Sequence, residues 1–530
     1  MRAYVTTVGT SPEAVFNPLW YLMEVRGWVP DEVHLLWNEK VKEQLEKTER
    51  LLEKLGKAYG VEIRAIADEE KLFTEEDPVE FRDKVLSTIK SLKALGYEVV
   101  VDITPGRKFM SALLLGAALA GGADEVTYLH LEDWTRYIGK LLFEVPMVKQ
   151  RLFFTEELTG KKGTASFGGR KKGSPEKLPV RREHLMALLD SLYLDGETSL
   201  TVKTRAAPSM ADQTEPPDSG RNEVILGTVR LDKEALYRVP ALVNLNDELH
   251  GDFGVFRQAL IAGGMVPFEN WGGLVSLIKT LKASGRPVYI GFDTNALMQR
   301  AFSRVLAEEG LKERGNLIVD FVYSDEVALE VGQIANHKLP YSQELGEFSN
   351  QPTPRARLAE LAKVELESMR KLGAERAGSR ETFHGDTKIA LDYKAFAEEK
   401  KANVVVLTAD DRAYSQMDAM KGSGLVPFKL EARVEPGKAY PGSWEALRDT
   451  LYTLTVVLGE VWLGRYKLTG VWRGKGSSDW VRELVYLSGF EYGRVLKALK
   501  GAFLPLPFPF FRLHRRASGS RAEKTSQGLF

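Results

Sequence analysis

Two separated blocks of this 530-residue chain alternate short β-branched runs with helical patterns, and that alternation restricts each block to one class of fold. From Arg2 to about Leu131 the runs YVTTV, VHLLW, VEIRAI, YEVVVD and VTYLHL are separated by helical stretches such as EAVFNPLWYLMEV and MSALLLGAALA. Strand and helix alternating at this spacing call for a parallel sheet flanked by helices. From Pro287 the pattern returns with VYIGFD, NLIVDFVY and VVVLTADD, interleaved with a charged helix from Arg355 to Leu372 and another from Thr387. The fold class is therefore α/β and multidomain, with an N-terminal Rossmann-like domain (1–150) and a C-terminal α/β domain (286–430).

The residues between and beyond these blocks are less regular. Gly160 to Lys177 is rich in Gly, Lys and Ser and reads as a mobile basic loop or linker. The rest of the connector (151–285) offers a helix around Glu183 to Leu194, candidate strands SLTVKT and EVILGTV, and a helix near Gly272 to Ser284, with no functional pattern. An extension (431–510) holds WEALRDTLYTLTVVLGEVW, a hairpin around YKLTGVWRGKG and a further helix. The basic tail (511–530) is expected to be disordered.

Lys plus Arg balance Asp plus Glu at 73 each, so no global field marks a polyanionic partner, and a nucleic-acid surface would have to be local. The absence of Cys removes disulfides, thiolate metal sites and cysteine nucleophiles, leaving oxygen or imidazole to hold any metal. No apolar run approaches the roughly 20 residues that span a bilayer, and no leader is evident, so the expectation is a cytoplasmic chain without a membrane partner.

Four acids carry the strongest chemical signal. Asp293 ends VYIGFD and Asp410 follows VVVLT, placing both at the carboxyl ends of strands in an open parallel sheet, where such sheets bind ligands. Glu330 borders the buried stripe of Val327, Val331 and Ile334, and Asp386 lies one turn before the stripe of Ile389, Tyr393, Phe396 and Ala397. Singly, Asp293, Asp386 and Asp410 suit helix caps or turns equally well. Together, four carboxylates at one sheet mouth repel one another, and a hard dication, Mg²⁺ or Mn²⁺, resolves the conflict and can activate water against a phosphodiester.

In the first block, VGTSP (8–12) follows the first strand, while ITPGRK (103–108) follows YEVVVD and opens an apolar helix. Main-chain N–H groups at a helix start, with hydroxyls and cations beside them, suit a phosphate-bearing ligand, and the lack of GxGxxG argues against a dinucleotide.

The segments FDTNAL (292–297), VALEV (327–331), GDTKIA (385–390) and LTADD (407–411) resemble the acidic motifs of PIN-domain ribonucleases over about Pro287 to Leu430. The resemblance implies Asp293, Glu330, Asp386 and Asp410 as catalytic metal ligands, with Asn295 or Thr408 as polar support. An additional charged helical segment between the second and third acids leaves Glu326 or Asp392 as alternatives. Residues 1–150 resemble the CARF domains of CRISPR-associated proteins through Gly9 to Pro12 and Asp102 to Lys108. That resemblance implies a homodimer binding a cyclic oligoadenylate through Gly9, Thr10, Ser11, Asp102, Thr104, Gly106, Arg107 and Lys108.

The function implied is a metal-dependent endoribonuclease of antiviral defence, acting on RNA, single-stranded by expectation, and regulated by the cyclic nucleotide. Two other readings compete: a signal-responsive RNA-binding protein with an inactive nuclease domain, and a first domain that itself degrades the cyclic oligoadenylate. His384, two residues before Asp386, is a minor catalytic candidate, and Trp20, Trp37 and Trp134 fit core or interface positions of the first domain.

Overall fold

A computed structural model describes residues 1–205, 223–231, 239–245, 254–343 and 345–502. The expected disordered tail lies outside the described residues. The first block forms a six-stranded sheet in the spatial order Arg64–Ile66, Glu32–Leu36, Arg2–Thr7, Glu98–Asp102, Glu125–Leu131 and Gln150–Phe153. The first five strands run parallel and the last pairs antiparallel with its neighbour. Trp20 and Trp37 are buried in it, but Trp134 is 61 % exposed and belongs to the surface rather than the core.

The second block is a five-stranded, wholly parallel sheet ordered Glu375–Ala377, Asp320–Ser324, Val288–Phe292, Asn403–Thr408 and Leu425–Lys429. Its central strands are buried from end to end, as expected for a sheet covered on both faces. Tyr393, on the helix Gly385–Lys400, locks the strand ends together. Its hydroxyl donates to Phe292 O at 2.7 Å and accepts from the N–H groups of Phe292 and Ser324 at 3.1 and 3.3 Å. Gly291 makes room for it, since a Cβ there would meet the Tyr393 ring at 2.6 Å.

The two irregular stretches join in one eight-stranded antiparallel sheet. In it Ser199–Thr204, from the connector, pairs with Glu460–Leu463, from the extension, and Glu176–Arg181 closes the far edge against Leu484–Phe490. The hairpin turn falls at Gly464 and Arg465, between Glu460–Leu463 and Tyr466–Thr469, ahead of the Gly-rich GVWRGKG. The helix Trp444–Leu458 crosses the inner face of this sheet, with Leu447, Leu451, Val456 and Val457 buried.

The basic stretch after Gly160 is strapped down rather than free. Arg170 pairs with the fully buried Glu24 at 2.9 Å, and Thr164 donates to Asp124 at 3.0 Å.

Ion pairs join the three units. Glu445 accepts from Tyr137 at 2.9 Å and pairs with Arg136 at 3.0 Å, linking the first domain to the helix Trp444–Leu458. Arg182 bridges Asp449 at 2.7 Å and Glu483 at 2.6 Å, and Glu483 pairs with Arg300 at 3.0 Å. Arg300 follows the helix that begins at Thr294, and it also meets Glu365 at 3.3 Å.

Replacing Glu483 with Gln leaves two guanidiniums short of a partner in a largely dry setting. The expected cost is roughly 2 kcal/mol, read as a lower midpoint in chemical denaturation.

Candidate functional site

Asp293 and Asp410 stand at the carboxyl ends of the adjacent strands Val288–Phe292 and Asn403–Thr408, as the strand pattern requires. Both also cap helices. The Asp293 carboxylate accepts from Thr294 N at 2.6 Å, and Asp410 accepts from Arg412 N and Ala413 N at 2.7 and 3.1 Å. The capping and the chemical readings of these acids are therefore compatible. Asp411, next to Asp410, turns away to pair with Lys429.

Two hydroxyls tie the group together. Thr408 Oγ1 donates to Asp293 at 2.8 Å, and Thr294 Oγ1 donates to Glu330 at 2.6 Å, so the first and second acids meet through a threonine. Thr294, rather than its neighbour Asn295, supplies this bridge. The third acid is brought in by Gly385, whose N–H donates to Glu326 at 2.8 Å. A Cβ on Gly385 would stand 3.9 Å from Glu330, so the residue before Asp386 lies directly against the second acid.

The electrostatics show the same convergence. Asp293 is only 2 % exposed, and burial pushes its carboxyl up to about 7, with Asp386 and Glu330 adding repulsion against the hydrogen bond from Thr408. Burial also raises Glu330, helped by Asp386 and Glu326, and raises Asp386, where Asp410 adds to the shift and Arg412 opposes it. None of the four acids is in an ion pair with a described cation. By contrast Asp392, one of the two alternative ligands, is taken up by Lys388 at 3.0 Å and by Ser324 at 2.7 Å. Glu326, the other, stays at the mouth. His384 caps no described N–H, and its ring is 86 % exposed, 3.7 Å from Glu326.

The acids are neighbours but not a formed cage: among the described residues no three acidic or imidazole side chains are gathered closely enough to grip one ion as they lie. Three are instead held by local donors, a hydroxyl for Glu330, a hydroxyl and a main-chain N–H for Asp293, and main-chain N–H groups for Asp410.

At the first sheet, the two loops meet as their strand positions imply. A Cβ on Gly9 would stand 3.3 Å from Gly106 N, and Gly106, at φ +96°, has the Thr7 hydroxyl within 3.1 Å of where a Cβ would sit. Gly106, Arg107 and Lys108 are exposed at the start of the helix Lys108–Gly121, with Thr10 exposed opposite them. Arg107 pairs with Glu75 at 2.7 Å. Asp102 departs from the sequence reading, because it is wholly buried and cannot touch a ligand in the loops. It accepts from Thr104 at 2.7 Å and from Thr127 at 3.3 Å, and burial pushes its carboxyl up to about 7. Its place is to position Thr104, whose hydroxyl also accepts from Leu129 N at 2.8 Å.

Residues 12–161 match a family model described as CRISPR-associated protein NE0113. No curated protein sequence matches the chain. Among solved structures, Can2 from Sulfobacillus thermosulfidooxidans in complex with cyclic tetra-adenylate aligns at 8 % identity and a TM-score of 0.24, over 81 % of this chain and 93 % of that one. Csm6 of Enterococcus italicus bound to cyclic hexa-2'-fluoro-hexa-dAMP aligns at 10 % and 0.20, over 75 % and 66 %. A type III CRISPR defence DNA nuclease activated by cyclic oligoadenylate aligns at 13 % and 0.19, over 79 % and 63 %. Among the described residues no helix is long and apolar enough to cross a membrane.

The raised Asp293 carboxyl has a measurable consequence in metal-free protein. Between the ordinary carboxylate range and about pH 7 the unfolded chain has lost this proton while the folded chain keeps it, so this group lowers stability as pH rises. Asp293→Asn removes the effect, and its melting temperature relative to the parent is expected to improve from pH 5 to pH 8. A constant difference across that range would contradict the assignment.

Proposed function

We propose that the C-terminal α/β unit is a metal-dependent phosphodiesterase that cuts RNA, and that the first domain, as a homodimer, regulates it by binding a cyclic oligoadenylate. The observation that carries the nuclease reading is the convergence of Asp293, Glu330, Asp386 and Asp410 from separate segments on one sheet edge, where burial and then the neighbouring acids raise three of the carboxyls. Structural acids pair off, as Asp392 and Asp411 do; these four do not.

The donor set fits a hard ion, being made of carboxylate oxygen alone, and Asp293, Glu330, Asp386 and Asp410 would hold it. Such an ion supplies a polarised water and neutralises charge on a phosphate undergoing displacement. The protein's own groups do the positioning: Thr408 fixes Asp293, Thr294 fixes Glu330, and Arg412 stands near enough to Asp386 to attract it. Arg412 is exposed at the mouth and is suited to steer a phosphodiester toward the acids.

That no three of the acids are gathered at one point among the described residues favours one other reading, an RNA-binding module whose nuclease centre is inactive. A cleavage assay separates the two. RNA incubated with Mn²⁺ or Mg²⁺, with and without cyclic oligoadenylates of several ring sizes, is expected to be cut, with DNA as a parallel substrate. Asp293→Asn and Asp386→Asn should each slow cutting by at least about 100-fold. Undiminished cutting by either variant, or tight RNA binding with no products in any metal, would refute the proposal.

The regulatory half rests on the match of residues 12–161 to a CRISPR-associated family and on the exposed loop pair beside Lys108. A ring with two-fold symmetry suits a pocket on an isologous dimer axis. The helix Lys108–Gly121 offers a face for that dimer: Phe109 and Leu119 are 37 % and 43 % exposed, and Ala112, Gly116 and Ala120 are exposed beside them. Small residues at this spacing let a second helix approach closely. Leu119→Glu combined with Phe109→Glu is expected to convert the dimer to a monomer in light scattering and to abolish response to the activator.

A further inference from the structure

The antiparallel sheet has a solvent face whose chemistry the proposed cleavage does not use. Residues paired directly across strands share a face. The pairings therefore place Lys203, Trp462, Lys467, Ser488 and Lys177 in one row across five strands. Glu460, Thr469, Tyr486 and Pro179 form the next row. The alternate residues Val202, Val461, Leu463, Leu468, Val485 and Leu487 are buried on the opposite side, so the row faces outward.

Cations and rings interleave along this face. Lys467 Nζ lies 4.8 Å from the Trp462 ring centroid and the Arg205 guanidinium 4.7 Å, while Lys177 Nζ lies 5.0 Å from Tyr486. Trp472 packs edge-on against Tyr486 at 4.9 Å, while Lys475, 4.6 Å from the Trp472 ring, is turned inward to donate to Gly470 O and Leu484 O. Two acids are present: Glu460 pairs with Lys467 at 2.6 Å and Glu223 with Lys203 at 3.1 Å. Lys177 and Arg205 have no carboxylate partner among the described residues. In a chain with equal numbers of acidic and basic residues, this is a local excess of positive charge.

We infer that this face binds a single-stranded nucleic acid, with Trp462 and Tyr486 as base-stacking platforms and Lys177, Lys203, Arg205 and Lys467 as phosphate contacts. Rings on an open sheet match unstacked bases, which a duplex cannot present, and interspersed cations match the backbone between them. A protein partner would call for a continuous apolar patch, and cations separate the rings here. The surface lies on a different unit from the four acids, so the inference goes beyond the cleavage reading and does not depend on it.

The test is fluorescence anisotropy of the full chain in EDTA, which removes cleavage, with labelled 20-nucleotide RNA and DNA strands and the matching duplexes over a salt series. Single strands are expected to bind more tightly than duplexes. Trp462→Ala with Tyr486→Ala should weaken binding at least about tenfold. Lys177→Gln, Lys203→Gln and Lys467→Gln together should reduce the salt slope by roughly 2, at about 0.7 per lost phosphate contact. Unchanged affinity and slope in both variants, or equal binding of duplex, would overturn the assignment. Should the aromatic variant unfold by circular dichroism, photocrosslinking of a 4-thiouridine strand to the unaltered protein decides the question. Crosslinks at Trp462, Tyr486 or Trp472 support the face, and crosslinks confined elsewhere refute it. Because no metal is present, failure of cleavage and failure of this binding are separate results.

Discussion

Negative charge crowded at the carboxyl edge of a parallel sheet is the constraint around which the C-terminal α/β unit is arranged. A parallel sheet delivers its strand ends to one side, so acids that end or follow different strands come to the same edge. Burial raises the Asp293, Glu330 and Asp386 carboxyls, and the neighbouring acids add to the shift. The neighbouring residues stabilise that arrangement. Tyr393 clamps the strand ends, Gly291 admits its ring, and the Thr294 and Thr408 hydroxyls hold two of the acids in place.

The unit is also anchored to the rest of the chain near this edge. Arg300, at φ +56°, follows the short helix that starts one residue after Asp293, and its ion-pair partner Glu483 sits at φ +51°. Left-handed backbone in a non-glycine residue persists only where its surroundings impose it. Both residues belong to the Arg182, Asp449, Glu483, Arg300 and Glu365 network. On the same helix as Asp449, Glu445 reaches Arg136 and Tyr137 of the first domain. The three units are thus physically continuous from the first domain's surface to the residues that follow Asp293.

The central strands of both α/β sheets were legible in the sequence because they are buried on two faces, so a continuous apolar run marks them. The edge strands Glu375–Ala377 and Leu425–Lys429, only partly buried, and the antiparallel Gln150–Phe153 carried no such mark. The eight-stranded antiparallel sheet was not legible, because its central pairing joins Ser199–Thr204 to Glu460–Leu463 across the whole second α/β block. No local pattern carries a contact of that range. Within the site, strand ends placed Asp293 and Asp410, and helical spacing placed Glu330 and Asp386 beside the core. The motif offers Asn295 as polar support, but only the geometry of the helix start shows that Thr294 is the residue that reaches Glu330. Asp102 misled for a related reason. A motif position does not reveal burial, and this acid faces inward to hold Thr104. The Gly- and Lys-rich stretch after Gly160 looked free in composition, yet Arg170 finds the buried Glu24.

The central claim, that four carboxylates await one hard ion, is tested most directly by titration calorimetry of the metal-free protein with Mn²⁺ near pH 7. Run in buffers of differing ionisation enthalpy, it should show saturable binding with proton release, because an Asp293 carboxyl raised to about 7 must lose its proton to accept the ion. Absence of saturable heat, or binding that persists unchanged when Asp293 and Asp386 are both replaced by Asn, would contradict it.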